Sequence, residues 1–74
     1  MKLVFYTGPQ CSLCDDAEVV LRHVGITDFE KINIRTSPDL YHLYGARIPV
    51  LKRVDTHSEL GWPFDEQSVE NFIK

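Results

Sequence analysis

The chain has 74 residues, a net charge of −3, 43% hydrophobic and 26% charged residues, and reads as one small domain spanning residues 1–74. That balance excludes intrinsic disorder, which needs few apolar residues and a high net charge. It also argues against nucleic acid or an acidic membrane as partner, since both call for a positive field that this chain lacks.

The first apolar run, Leu3-Val4-Phe5-Tyr6, is closed by Thr7-Gly8-Pro9. It is too short for the core of an export signal or for a membrane span, and it reads as a strand buried on both faces. With no export signal, a reducing cytoplasm is the expected compartment. From Ser12 the period changes to that of a helix, with Leu13, Ala17, Val20, Leu21 and Val24 on one face. Acids open this helix, Arg22 and His23 close it, and Gly25 is placed as its C-terminal cap.

Phe29 to Ile34 alternates, with Ile32 and Ile34 on one face, and predicts a second strand. Ser37 and Pro38 form a helix start, as N-cap and first helical residue. Leu40, Leu43 and Tyr44 supply the apolar side of that helix, and Gly45 stops it. Pro49-Val50-Leu51 opens a third strand, and Asp55-Thr56-His57-Ser58 connects it to a short fourth around Glu59-Leu60. Asp65 caps a last helix, with Phe64 and Val69 spaced as a hydrophobic staple. The predicted order is β-α-β-α-β-β-α: a four-stranded mixed sheet, its first two strands parallel, with helices on both faces.

Cys11 and Cys14 are the only cysteines, and they fall where the first strand gives way to the first helix. A helix N-terminus presents unpaired N–H groups and partial positive charge, which stabilise an anion such as a thiolate. Cysteines in such places have pKa values lowered from about 8.5 to about 3.5–7.5. The spacing divides the roles: Cys11 at the helix start faces solvent as the nucleophile, and Cys14, one turn on, is the resolving thiol. Asp15 and Asp16 suit the helix dipole but disfavour a nearby thiolate, and Arg47 offsets them if the fold brings it close. Three other readings stand beside the redox dithiol. They are an inert buried pair, a zinc site completed from His23, His42 and His57, and an iron–sulfur cluster shared by two chains.

A strand, a C-x-x-C opening a helix, and Ile48-Pro49-Val50 before a hairpin together resemble the glutaredoxins of the thioredoxin-like superfamily. Leu60-Gly61-Trp62-Pro63-Phe64 before the last helix is similar to the small bacterial glutaredoxin-like domains. The resemblance implies a thioredoxin-like α/β fold and a thiol–disulfide oxidoreductase reducing protein disulfides or glutathione mixed disulfides. It implies a cis peptide before Pro49, with Ile48 pairing its backbone with substrate; Arg47, from its place just before Ile48-Pro49, is a further candidate for substrate binding. No bound cofactor is expected, glutathione is a possible co-substrate, and a monomer is expected. The family's Gly-Gly turn and acidic residue, which grip glutathione, are represented only by Gly61 and Asp65, with Trp62 and Pro63 altering the turn. Ser12-Leu13 replaces the usual Pro-Tyr between the cysteines. The alternative is a thioredoxin-like binding or adaptor module with little redox turnover.

Overall fold

The computed structural model describes residues 2–74. β1 (Leu3–Thr7) runs through the middle of a four-stranded sheet of order β2-β1-β3-β4. It pairs in parallel with β2 (Glu30–Asn33) and antiparallel with β3 (Val50–Arg53), which forms a hairpin with β4 (Glu59–Gly61). All five residues of β1 are buried, as expected of a strand with neighbours at both edges and helices on both faces. β2 and β4 are the sheet's two edges.

Alternation along the strands divides the core in two. Leu3, Phe5 and Leu51 face α1 (Ser12–Val24) and α3 (Glu66–Phe72), meeting Ala17, Leu21, Phe64 and Val69. Val4, Tyr6 and Val50 face the other way, toward Ile34 and the Tyr44 of α2 (Pro38–Tyr44). Phe5 is fully buried and meets Phe29 edge to face, with ring centroids 5.8 Å apart; burial of such a ring contributes about 1.5–3 kcal/mol.

The helix ends follow the local signals. Gly25 takes the left-handed conformation at φ 92°. Its N–H bonds the Arg22 carbonyl and that of Ile26 the Leu21 carbonyl, the paired closure that satisfies a helix's last carbonyls. Ser37 caps α2, and Asp65 caps α3 by accepting from the Ser68 N–H at 2.8 Å. Phe64 and Val69 are both buried in one cluster, as a staple requires. At the far end of α3, Arg53 donates to the carbonyls of Phe72 and Lys74 while its other nitrogens hold Asp55.

Three expectations need correction. Leu13, expected on the buried face of α1, is 48% exposed. Helical side chains tilt toward the N-terminus, so at the second helical residue the tilt carries Leu13 past the packed core. Leu43, expected on the apolar side of α2, is 57% exposed. That short helix packs through Leu40 and Tyr44, and Leu43 lies a 100° step from Tyr44. β2 is also shorter than Phe29–Ile34: Asn33 accepts from the Arg35 N–H at 2.9 Å and diverts the chain into a 3₁₀ turn, Ile34–Thr36. Ile34 stays buried on the predicted face.

Candidate active site

The site is built where β1 ends. After Thr7, the turn Gly8-Pro9-Gln10 delivers the chain to α1, and the left-handed residue is Gln10, at φ 54°. Gly8 contributes differently: a Cβ there would lie 2.8 Å from Ile48 Cδ1. Glycine thus lets the Ile48 side chain close over the loop that carries Cys11.

Cys11 is the N-cap of α1, with extended backbone at φ −109° and ψ 97°. Its Sγ accepts a hydrogen bond from the Cys14 N–H at 3.1 Å, where serine or aspartate usually serves as cap. Such a bond favours the charged form of its acceptor, so the geometry suits a sulfur anion when the pair is open. Here the two cysteines form a disulfide, with Cα atoms 5.2 Å apart. Cys11 is half-buried and Cys14 is 2% exposed among the core residues. Cys11 is thus the more accessible of the two and Cys14 the sheltered one.

Ile48 and Pro49 reach the same place from β3. The Ile48–Pro49 peptide is cis, as is Trp62–Pro63. The Ile48 N–H donates to the Tyr44 carbonyl at 3.1 Å, and the Trp62 N–H donates to the Pro49 carbonyl at 3.1 Å. Ile48, Trp62 and Cys11 all pack against the core cluster containing Cys14, so the cysteine turn, the proline loop and the Gly61–Trp62 segment converge. Trp62 also meets Phe64 edge to face, with centroids 5.1 Å apart.

Arg47 is engaged by Glu59 and Tyr44. Its Nη2 donates to Glu59 Oε1 at 2.8 Å and its guanidinium lies 5.2 Å from the centroid of the Tyr44 ring. Asp65 is tied to its own helix, accepting from both the N–H and the Oγ of Ser68. These bonds hold its carboxyl below the usual range. The next residue, Glu66, has Oε2 3.6 Å from His23 Nδ1. His23 lies in the last turn of α1, about 18 Å along the helix from Cys11 at 1.5 Å per residue. The structure therefore brings Cys11, Cys14, Ile48, Pro49 and Trp62 together, with Gly61 next in chain. It engages Arg47 with Glu59 and sets Asp65 beside the far end of α1.

A cluster that the sequence reading missed fastens the proline loop. Tyr44 stacks on Tyr6 with centroids 4.3 Å apart, its hydroxyl donates to Glu59 Oε2 at 2.5 Å, and its carbonyl accepts from the N–H groups of Arg47 and Ile48. Burial first, then the Glu59 carboxylate, push the Tyr44 phenol well above its ordinary value. The Tyr44 hydroxyl, ahead of Arg47, holds the Glu59 carboxyl below its own, against partial burial. Tyrosine at the end of an amphipathic helix signals only packing, and nothing local pairs it with a residue on a strand 15 positions on.

Among the described residues, no three His, Cys, Asp or Glu side chains gather as a metal site. None of the helices there is long and apolar enough to cross a membrane.

Comparison with solved structures gives the same architecture. The X-ray structure of Northeast Structural Genomics target protein XcR50 from X. campestris superposes with a TM-score of 0.89 at 32% identity, covering 96% of this chain and 93% of that one. The solution structure of the same target gives 0.89 at 33% identity, over 99% and 92% of the two chains. Protein Ne2328 from Nitrosomonas europaea gives 0.79 at 32% identity, over 96% and 88%. No curated protein matches the sequence. The family model "Glutaredoxin-like domain (DUF836)" matches residues 2–74. With its C-x-x-C pair at the head of α1 and its thioredoxin-like sheet, the chain belongs to this glutaredoxin-like family.

Proposed function

We propose that the protein is a thiol–disulfide oxidoreductase in which Cys11 attacks and Cys14 resolves. The observation that carries this reading is the cap: the half-buried Cys11 Sγ accepts the Cys14 N–H at 3.1 Å, with the Cys14 sulfur sheltered behind it. In the reduced protein the Cys11 thiolate attacks one sulfur of a substrate disulfide. A mixed disulfide forms, and the other substrate sulfur leaves as a thiolate that takes a proton from water. Cys14 then gives up its proton and attacks Cys11 Sγ. The second substrate thiol is released, and the chain is left with the Cys11–Cys14 disulfide. Two electrons pass from the dithiol to the substrate, and an external thiol reductant restores them.

The cis-Pro49 turn packs, through Ile48, on the core cluster that holds the pair, and Ile48 is the residue offered for backbone pairing with substrate. Its N–H is engaged by Tyr44, so the carbonyl is the group that pairs. A reducing cytoplasm suits such a cycle, and glutathione and protein disulfides are the candidate partners.

The test is mass spectrometry of the wild type, Cys14→Ser and Cys11→Ser after exposure to a peptide disulfide. Wild type should cycle reversibly between forms differing by two hydrogens, and Cys14→Ser should trap a peptide adduct on Cys11. Cys11→Ser should trap little. Failure of the wild type to form a reversible disulfide, or adducts mainly on Cys14, would overturn the assignment.

A further inference from the structure

Resting on the oxidoreductase reading, we infer that the disulfide opened by Cys11 is carried on a polypeptide and flanked there by an apolar and a basic side chain. Leu13, Ile48 and Trp62 seat the apolar one, and Asp15 and Asp16 face the basic one.

The apolar seat is visible in the exposures. Leu13 stands between the cysteines with 48% of its surface open, in the position that the core leaves uncovered. Ile48 lies over Gly8 in the loop before Cys11, and the half-buried Trp62 is bonded through its N–H to Pro49. An apolar side chain next to a substrate cysteine meets this rim as the sulfurs come into line.

The charge around the rim selects the rest of the occupant. Asp15 and Asp16 are exposed in the first turns of α1, and the Asp15 N–H bonds the Cys11 carbonyl. Asp15 follows Cys11 by one turn and Asp16 follows Leu13 by three residues, so each lies on the face of the residue it serves. Neither carboxylate is in an ion pair among the described residues. The rim is thus acidic, and a lysine or arginine two or three residues from the substrate cysteine complements it.

Groups suited to a small thiol bearing two carboxylates and an ammonium are already used inside the chain. Arg47 is held by Glu59, the Ile48 and Trp62 N–H groups bond carbonyls, and Pro63 has no N–H to give. Asp65 spends its carboxylate on Ser68 and adjoins the far end of α1. A tripeptide with two carboxylates, such as glutathione, meets acids at this site with these cations and amides already engaged. A polypeptide brings an apolar side chain to fill this seat and the positive charge that the acidic rim lacks.

The experiment measures reduction by the wild-type protein, with dithiothreitol as the recycling reductant. The probes are oxidised glutathione and two disulfide peptides bearing leucine next to cysteine, differing only in Lys or Glu flanks. The Lys peptide should react about five-fold faster than the Glu peptide at low salt, a ratio in keeping with a few exposed charge pairs. The ratio should fall toward one in about 1 M salt, and oxidised glutathione should be slowest. In the double variant Asp15→Asn, Asp16→Asn the Lys-to-Glu ratio should collapse. In Leu13→Ser the preference for a leucine-flanked over a serine-flanked peptide should narrow. Glutathione reduced as fast as the Lys peptide, or a ratio indifferent to the aspartates, would overturn this inference and leave the oxidoreductase reading standing. No reduction of any probe would overturn both.

Discussion

Replacing Tyr44 with phenylalanine isolates one hydrogen bond in the support of the proline loop. Tyr44→Phe keeps the ring that stacks on Tyr6 and the carbonyl that accepts from Ile48, and deletes only the hydroxyl donating to Glu59. A hydrogen bond to a charged group contributes about 1.5–3 kcal/mol net. The Glu59 side chain is 27% exposed and retains the Arg47 bond. Water therefore replaces part of the lost donor, and the expected cost is about 1 kcal/mol. In a domain of this size that lowers Tm by about 4–8 °C.

The same bond predicts a pH dependence. The folded protein holds the Glu59 carboxyl below its ordinary value, with Tyr44 the largest cause and Arg47 and Lys52 acting with it. A carboxyl lowered on folding contributes stability that is present in full above its unfolded value, about 4.3. That stability is lost as pH falls through the folded value. The gap between wild type and Tyr44→Phe should therefore be full at pH 7 and shrink below about pH 4. Asp55 and Asp65 are also lowered, so both proteins weaken in acid, and the difference between them reports on Glu59. Urea unfolding at several pH values measures it. A gap below about 0.3 kcal/mol at pH 7, or one that does not change with pH, would refute the reasoning.

Two other substitutions test the frame of the site. Gly25→Ala should cost about 1–2 kcal/mol, because φ is 92° there while an added Cβ meets nothing within 4 Å; Gly25→Asn should cost less, and thermal unfolding compares the two. Gly8→Ala should leave stability within about 0.5 kcal/mol, because the added Cβ meets only the flexible end of Ile48 at 2.8 Å. Moving Ile48 at the rim, however, should change the rate of peptide-disulfide reduction several-fold, and an unaltered rate would detach Ile48 from the site.

Local signals carried most of the architecture. The unbroken apolar run of β1, the glycine after α1, and the caps at Ser37 and Asp65 each state one conformational requirement that neighbouring residues satisfy. The site's two sulfurs were legible for the same reason, since both lie within a single turn at the head of α1. What was not legible depends on pairs far apart in sequence. Arg47 was assigned to the site from its place before Ile48-Pro49, but Glu59, 12 residues on, is a partner that only the folded chain brings near; Asp65, assigned by resemblance, is held by the cap bond of its own helix. Leu13 and Leu43 show the reverse limit. Periodicity counts a leucine as core wherever the phase fits, while a short helix or a first turn has too little protein beside it to cover every such position.

The sheet's two rims have a consequence for how these molecules meet one another. On β2 the flanking positions Glu30 and Lys31 are exposed, and their charges are matched across the fold by Lys2 and Glu18. On the other side β4 offers only three residues before Trp62-Pro63 turns the chain away. A stray strand arriving at either border finds ion pairs to break or a ladder too brief to hold it. Continuous growth by edge-to-edge addition is thereby discouraged.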